Sequence, residues 1–268
     1  MLRLKNMKLK PKLITLFLLV GVIPLAIIGV WTAQLSSNAL MSDSYANLKA
    51  IRETKANQIT NYFNERQGDL QVLVNTVTSL RNAAFRQLES VHDNQARAVE
   101  RYFANRTVTP AEVQPGSRVD RAMNEIVANR TGLGETGESY LMEKRNGRYL
   151  FRSDMETMGD GDFVFGYDAT DIAPEYLKRA HAGENGQEVF TDSSGALVMV
   201  TYSSLDVSGM NWALITKKNL EEAISPRLKG QEDDYFANYL EEYGYYDLFL
   251  VHPKGEIFST VEKDAEYE

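Results

Sequence analysis

The segment RTGLGETGESYLM, Arg130 to Met142, contains three glycines at the spacing G-x-G-x-x-G. In dinucleotide-binding proteins this spacing follows a strand and opens a helix, so that backbone N–H groups at the helix N-terminus meet the pyrophosphate. Here the order is reversed, because RVDRAMNEIVANR (Arg118–Arg130) has a helical pattern and ESYLM has a strand pattern. We therefore expect Gly132, Gly134 and Gly137 to end a helix and turn the chain into a strand, without a nucleotide site.

Residue patterns typical of catalysis are missing from the sequence. It has no P-loop, no G-x-S-x-G elbow and no H-E-x-x-H pair. The histidines His92, His181 and His252 are too scattered to predict a metal centre. The chain has no cysteine, which excludes disulfides, thiol redox chemistry and thiolate metal sites. The sequence thus predicts a protein that is not an enzyme and needs no cofactor or metal.

The acid-rich segment Asp154–Asp171 is the remaining candidate for ion binding. Its carboxylates could hold calcium, but their spacing does not match the EF-hand loop and its glycines are typical of loop punctuation. The segment is predicted to be an acidic loop or one wall of a ligand pocket.

Charge and hydropathy divide the chain into a short basic N-terminus and an acidic body. Residues 1–12 carry five basic side chains and no acid. Because the net charge of the whole chain is −8, residues 13–268 carry a net charge of −13. Residues 13–33, LITLFLLVGVIPLAIIGVWTA, are almost wholly apolar and are about as long as the ~20 residues needed to cross a bilayer. We predict one transmembrane helix there, and an acidic body that does not bind nucleic acid.

The alternative for this apolar segment is a cleaved signal peptide, whose apolar region is shorter, about 7–15 residues. Five basic residues before the span and none soon after it predict a cytoplasmic N-terminus. The body from about Ser36 onward is then expected outside the cytoplasm, anchored in the plasma (inner) membrane.

A very long helix is predicted after the span. No proline lies between Pro24 and Pro110, and apolar residues recur three and four apart from Leu70 to Val91. A helix from about Ala39 to Asn105 would extend roughly 100 Å at 1.5 Å per residue. A helix of this length indicates a stalk that holds a sensor away from the membrane.

After Arg130 the apolar period changes from 3.6 to 2, which predicts an antiparallel sheet. One helix, Ala173–Gly183, interrupts the strands, with Pro174 in its first turn and Gly183 as its stop. The five predicted strands are ESYLM, GRYLFRS, DFVFGYD, LVMVTYSSL and NWALITKK.

The sequence also contains an internal repeat. An offset of 108 residues places Tyr140–Arg152 over Leu248–Thr260, two strands joined by a polar turn ending in glycine. Each copy follows a predicted helix, the second being Asp233–Gly244. This predicts two similar modules in tandem, the second incomplete at residue 268.

Two longer segments carry a family resemblance: GLGETGESYLMEKRNGRYLFRSD and GALVMVTYSSLDVSGMNWALITKKNLEEAISP. Together with the basic tail, the single span and the long helix, they resemble the double-Cache sensor region of bacterial methyl-accepting chemotaxis proteins. Cache modules also form the sensor regions of histidine kinases and cyclic-dinucleotide enzymes, and these two classes of protein remain the alternative. The resemblance implies an α+β fold in which a PAS-like antiparallel sheet binds a small molecule and the long helix carries the signal toward the membrane.

The expected domains are a basic tail (1–12), a span (13–33), a stalk (34–107), a membrane-distal Cache module (108–225) and the start of a membrane-proximal one (226–268). Under the sensor hypothesis the stalk pairs with a second copy, which predicts a homodimer. Two hypotheses assign the protein to a different functional class. It would be either a membrane-tethered enzyme or a scaffold that self-associates through the stalk.

Strand alternation and side-chain chemistry select the candidate ligand-binding residues. Arg152 is expected to bind an anionic group of the ligand, and Asp154 or Asp168 is expected to bind a cationic or hydroxyl group. The tyrosines are expected to form the pocket walls, with their hydroxyl groups available for hydrogen bonds. Trp212 is predicted to be a core residue. The arginine and Trp-Tyr pair common in amino-acid-binding double-Cache sensors is not visible, so no amino-acid ligand is inferred. The six candidates are Tyr140, Arg152, Asp154, Tyr167, Asp168 and Tyr202.

Overall fold

The computed structural model describes residues 8–155, 164–192, 195–207, 209–225, 233–251, 255 and 257–261. The chain divides into two compact units, Met1–Leu73 and Val74–Glu268. They are described separately below.

The first unit is helical throughout its described residues. Helix α1 (Leu9–Phe17) continues through a π-helical turn, Leu18–Val22, into helix α2 (Ile23–Ala104), whose first part belongs to this unit. Its most apolar 18-residue window has a mean hydropathy of 2.8, and within the described residues this is the one helix long and apolar enough to cross a membrane. The segment predicted to span, 13–33, lies within it.

The second unit begins with the rest of α2, which ends at Ala104, one residue before the predicted Asn105. Helix α3 (Arg118–Val127) follows a loop and starts where the sequence indicates. The Ser117 hydroxyl caps it by accepting a hydrogen bond from the Asp120 N–H at 3.0 Å. Its buried residues, Val119, Met123 and Val127, face the core of this unit.

Five strands form one antiparallel sheet in the spatial order β2-β1-β5-β4-β3. The expected α+β fold with an antiparallel sheet is confirmed. The strands are β1 (Glu138–Arg145), β2 (Arg148–Phe151), β3 (Gly186–Thr191), β4 (Leu197–Val207) and β5 (Met210–Asn219).

One of the five predicted strands is wrong and one real strand was missed. The described part of DFVFGYD, residues 164–168, forms a turn beside β2 and not a strand, although it exchanges backbone hydrogen bonds with Phe151 and bridges Leu150 through Asp168. The missing strand is β3, GQEVFT, which pairs with β4 at the sheet edge. Both segments are short and rich in β-branched or aromatic residues, so only the pairing partner distinguishes them.

Each face of the sheet is covered by different helices. On the α4 face, helix α4 (Glu175–His181) and a 3-10 turn (Thr170–Ile172) pack over alternate strand residues such as Tyr140 and Ile215. On the α2 face, helices α2 and α3 pack over the intervening residues. Trp212 lies there fully buried, as predicted for a core residue, with its ring 5.2 Å from that of Phe103 in an edge-to-face contact.

The sheet is followed by α5 (Leu220–Ile224), α6 (Tyr235–Tyr243) and a hairpin of β6 (Phe249–Val251) and β7 (Ile257–Thr260). Helix α6 and this hairpin repeat the order of α3, β1 and β2, in agreement with the sequence repeat. The Ser259 hydroxyl donates a hydrogen bond of 3.2 Å to the Glu221 carboxylate on α5. The hairpin thus contacts the segment that leaves β5.

Candidate functional site

The α4 face of the sheet contains a cavity of about 460 Å³. This volume lies within the ~300–1,000 Å³ of small-molecule sites. Residues of β1, β2, β3, β4 and β5 form its floor, and the 3-10 turn and α4 form its roof. The lining residues used below are Tyr140, Met142, Phe151, Ile172, Ala173, Tyr176, Phe190, Asp192 and Lys217.

Local sequence explains why space remains at this position. Strand alternation directs Tyr140 and Met142 of β1 to this face, next to Phe151 of β2. The roof carries the small side chains of Ala169 and Ala173, and Pro174 then starts α4. Large aromatic side chains facing these small alanines leave a volume that the described residues do not fill.

Two tyrosine hydroxyls are the neutral polar groups at the cavity wall. The Oη atoms of Tyr140 and Tyr176 lie 3.1 Å apart and share a hydrogen bond. Burial raises the pKa of Tyr140 well above its usual value of 10 and raises the pKa of Tyr176 to about 12. Both groups are therefore neutral at physiological pH and can donate to or accept from a bound solute.

Lys217 and Asp192 are the charged residues that line the cavity. Lys217 Nζ lies 3.1 Å from Glu138 Oε1, and both side chains are largely buried on this face. Asp192 lies at the cavity rim, where its Oδ1 accepts a hydrogen bond from the Ala196 N–H at 3.0 Å. The cavity thus combines an apolar body with a few fixed polar groups, the usual composition of a small-molecule site.

Two of the six candidate residues lie on the α4 face. Tyr140 lines the cavity. Tyr202 lies behind it, fully buried, with its ring stacked on Tyr176 at 6.1 Å and the Arg179 guanidinium 5.2 Å from its centroid. A Cβ at Gly186 would lie 2.5 Å from the Tyr202 hydroxyl oxygen, so a glycine makes room for this ring.

Two more candidates lie away from the cavity, near α3 and the α2 face. Arg152 is buried, its Nη2 lies 2.5 Å from Glu143 Oε2, and burial lowers its pKa while Glu143 opposes that shift. Asp154 is exposed, and its carboxylate accepts hydrogen bonds from Asn124 at 3.1 Å and from the Phe165 N–H at 2.9 Å. Both side chains thus hold parts of this chain together.

The last two candidates lie beside the edge strand β2. The ring of Tyr167 is partly exposed, with its centroid 6.1 Å from that of Phe151. Asp168 is exposed; hydrogen bonds from Thr170 lower its pKa, and Arg148 lies 3.7 Å away. The structure therefore brings together Tyr140 and Tyr202 but not the other four, and a binding role for each of the six stays a prediction.

Several cavity residues were missed by the sequence reasoning. Phe190 belongs to the unpredicted strand β3, and Tyr176 lies on a helix considered only as an interruption of the sheet. Lys217 follows the alternation of Ala213 and Ile215 in β5, so extending that pattern by two residues would have found it.

The glycine-rich segment binds a carboxylate of this chain instead of a phosphate. The Glu222 side chain accepts hydrogen bonds from the N–H groups of Glu135 and Thr136, both at 2.9 Å, and from the Thr136 hydroxyl. Burial would raise the pKa of Glu222, but these hydrogen bonds outweigh it and lower the pKa. A Cβ at Gly134, whose φ is +81°, would lie 2.0 Å from Glu222 Oε1. That glycine lets α5 dock onto the loop.

A second, open cleft of about 580 Å³ lies between the end of α2 and the start of α3. Tyr102, Arg106, Ala111 and Arg118 are among the residues that line it. The Arg106 guanidinium lies 4.3 Å from the centroid of the Tyr102 ring.

Within the part of the chain that the structure describes, no three His, Asp or Glu side chains are placed to hold a metal ion. His92 lies on α2 and His181 on α4, whereas His252 lies outside the described residues. The centre of the acidic segment, residues 156–163, also lies outside them.

No family model matches the sequence, and no curated protein matches it. Solved structures of sensory or ligand-binding domains of chemoreceptors resemble the chain. One is the sensory domain of Campylobacter jejuni Tlp3 (CcmL) with isoleucine bound, at 14% identity and a TM-score of 0.40 over 72% of each chain. Another is the ligand-binding domain of Pseudomonas aeruginosa PctC in complex with GABA, at 14% identity and a TM-score of 0.40 over 70% of this chain and 71% of that one.

Proposed function

We propose that this chain is the sensor region of a membrane-anchored chemotaxis receptor and that the cavity on the α4 face binds a small organic solute. The cavity itself carries the proposal, because about 460 Å³ of space lies between the sheet and α4, with a largely apolar lining and a few fixed polar groups. Helix α2, a continuous helix from Ile23 to Ala104, is the element that would carry the signal.

The lining indicates the ligand's chemistry. Met142, Phe151, Ile172 and Phe190 favour an apolar body, and the tyrosine hydroxyls favour one or two hydrogen-bonding groups. Lys217, now paired with Glu138, offers a cation to an anionic group of the ligand, and Asp192 at the rim offers a carboxylate. A first screen would contain small amines, carboxylates, amino acids and GABA, since isoleucine and GABA are named for the structures above.

The test is a thermal-shift screen of the full chain in lipid nanodiscs. A solute that binds only the folded state raises the melting temperature, by several degrees at ~100 times Kd. Ala173→Phe, which fills the cavity from its roof, is expected to abolish the shift. Ala111→Phe fills the second cleft by the same change and is expected to leave the shift intact.

Each alternative outcome has a distinct meaning. Loss of the shift in Ala111→Phe alone would move the binding site to the cleft between α2 and α3. A screen without any shift would contradict ligand sensing and favour the scaffold hypothesis.

The membrane topology is part of the same proposal: the N-terminus lies in the cytoplasm and the body lies outside it. Because the chain has no cysteine, single cysteines introduced at Lys8 and Thr109 report the two sides without background. A membrane-impermeant maleimide should label the protein with Thr109→Cys, and not the protein with Lys8→Cys, in intact cells. Equal labelling would contradict this orientation.

We further propose that the receptor is a homodimer. In the first unit, Tyr45, Leu48, Ile59 and Tyr62 are exposed and fall at positions a and d of one heptad frame, as two apolar pairs separated by Arg52 and Lys55, and these pairs could pack against a second copy of this helix. Light scattering of the solubilised chain should give twice the monomer mass, and a monomer at high concentration would contradict the proposal.

A further inference from the structure

A buried polar contact joins α2 to the strands whose other face lines the cavity. His92 on α2 is 2% exposed, and both of its ring nitrogens find hydroxyl partners. Nδ1 lies 3.0 Å from Thr216 Oγ1 of β5, and Nε2 lies 2.7 Å from Ser203 Oγ of β4. Thr216 Oγ1 in turn lies 2.9 Å from Ser139 Oγ of β1. One helix side chain is therefore connected to three adjacent strands.

Strand alternation places cavity residues next to these hydroxyl groups in the chain. Tyr140 follows Ser139 and Lys217 follows Thr216, and both line the cavity. Tyr202 precedes Ser203 and stacks on the cavity residue Tyr176. A strand that shifts when the cavity is filled must therefore shift a hydroxyl group bonded to His92.

The geometry of this contact differs from that of its surroundings. Contacts of α2 with the sheet near His92 include apolar packing, as at Val99, which is not directional, and one hydrogen bond at the end of β4, from the Asp206 N–H to the Glu100 carboxylate at 3.1 Å. Hydrogen bonds weaken steeply with distance and angle, and a buried polar group that loses its partner is costly. His92 thus holds α2 in one register relative to β4 and β5.

We propose that His92 is the positioning residue through which α2 follows movement of the cavity strands. The inference rests on the proposed binding function, because it assigns the route by which occupancy of the cavity reaches the long helix. Burial lowers the pKa of His92 to about 4, so the ring is neutral and offers one donor and one acceptor to the two hydroxyl groups.

Gln95, one turn further along α2, provides a matched control. It is also buried, and its Nε2 donates to the carbonyl oxygens of Ile126, Val127 and Asn129 at 3.2–3.4 Å. It therefore anchors α2 to the end of α3 rather than to the cavity strands. His92→Leu and Gln95→Leu each remove one buried polar anchor, but only the first disconnects the sheet.

The experiment needs no ligand, because Ala173→Phe serves as a built-in occupant of the cavity. Amide hydrogen exchange would be measured by mass spectrometry on the full chain in nanodiscs, for α2 peptides around residue 92. We expect Ala173→Phe to change the exchange rate there by about fivefold, and Ala173→Ser to leave it unchanged. The change should fall within about twofold in the His92→Leu background and persist in the Gln95→Leu background.

Three results would overturn the inference: no response of α2 to Ala173→Phe, an undiminished response in His92→Leu, or an equal loss in Gln95→Leu. If His92→Leu does not fold, Ser203→Ala takes its place, since it removes one hydroxyl from the same contact and should weaken the response. The thermal-shift screen tests binding on the unmodified protein. A cavity that binds a solute while α2 fails to respond would therefore reject the route through His92 and leave the proposed function standing.

Discussion

On the α2 face of the sheet, Trp212 and Leu214 are fully buried against helices, whereas on the α4 face Tyr140 and Met142 border a cavity of about 460 Å³. The same strands supply both sets of residues. Buried charges are paired on both faces, Arg152 with Glu143 on the α2 face and Lys217 with Glu138 on the α4 face, so the difference lies in the packing of the apolar side chains. The difference indicates that the α2 face supplies stability and keeps the helix in register, while the α4 face gives up packing to keep space for a ligand.

The largest effect is expected for Trp212→Ala, which leaves a cavity beneath α2 and so tests the packing of this face. The free energy of unfolding should fall by about 3–5 kcal/mol, because the contact with Phe103 and most of the ring's burial are lost. Urea unfolding followed by circular dichroism measures this change. Trp212→Phe should cost clearly less, and a loss below about 1 kcal/mol for the alanine variant would contradict dense packing on this face.

The second test uses pH. Between its ordinary value of 6.5 and about 4, the unfolded chain binds a proton at His92 that the folded chain excludes. The free energy of unfolding should therefore fall by about 3 kcal/mol as the pH drops through this window, and this group adds no further change below it. Urea titrations at pH 7 and pH 4 measure the loss.

His92→Gln is the control for this pH dependence. It should flatten much of the loss, leaving the contributions from His181, whose pKa burial also lowers, and from Glu222, whose pKa hydrogen bonds lower. Identical pH profiles for the two proteins would show that His92 is solvated.

The third test concerns the predicted binding role of Arg152. Arg152→Met leaves the buried Glu143 with only Arg145, at 2.9 Å, and should reduce the free energy of unfolding by about 2–3 kcal/mol. The double variant with Glu143→Leu should regain most of that loss. The exposed pair of Arg148 with Asp168 is the control, and Arg148→Met should change stability by less than about 0.5 kcal/mol. Unchanged stability together with weakened binding would instead support a ligand contact at Arg152.

The smallest effect is expected at the cavity itself. Ile172 lines it and is 59% exposed, so Ile172→Ala should change the free energy of unfolding by less than about 0.5 kcal/mol. The same variant should weaken an apolar ligand about fivefold, by the loss of contact area. A large loss of stability would mean that this side chain supports the fold rather than the space beneath it.

Much of the fold could be predicted because local periodicity carries it. The helical pattern predicted the end of α2 within one residue and the start of α3 at Arg118. Period-two runs predicted β1, β2, β4 and β5, and the repeat predicted the hairpin of β6 and β7. The prediction missed strand β3 because GQEVFT and DFVFGYD have the same local pattern of residues. Only the pairing of GQEVFT with β4 makes it a strand of the sheet.

The candidate site was less accessible to sequence reasoning. By itself the sequence determined an apolar membrane-length segment, a long helix and an alternating sheet, since each depends on neighbours along the chain. It also selected Tyr140 and Tyr202, because alternation within a strand places both on the α4 face. Only the tertiary structure decided that Arg152 pairs with Glu143, that the glycine-rich loop holds Glu222, and that α4 roofs a cavity. Those outcomes depend on residues that are 9 to 87 positions apart in sequence, whose contacts arise from strand register and helix docking and leave no local pattern.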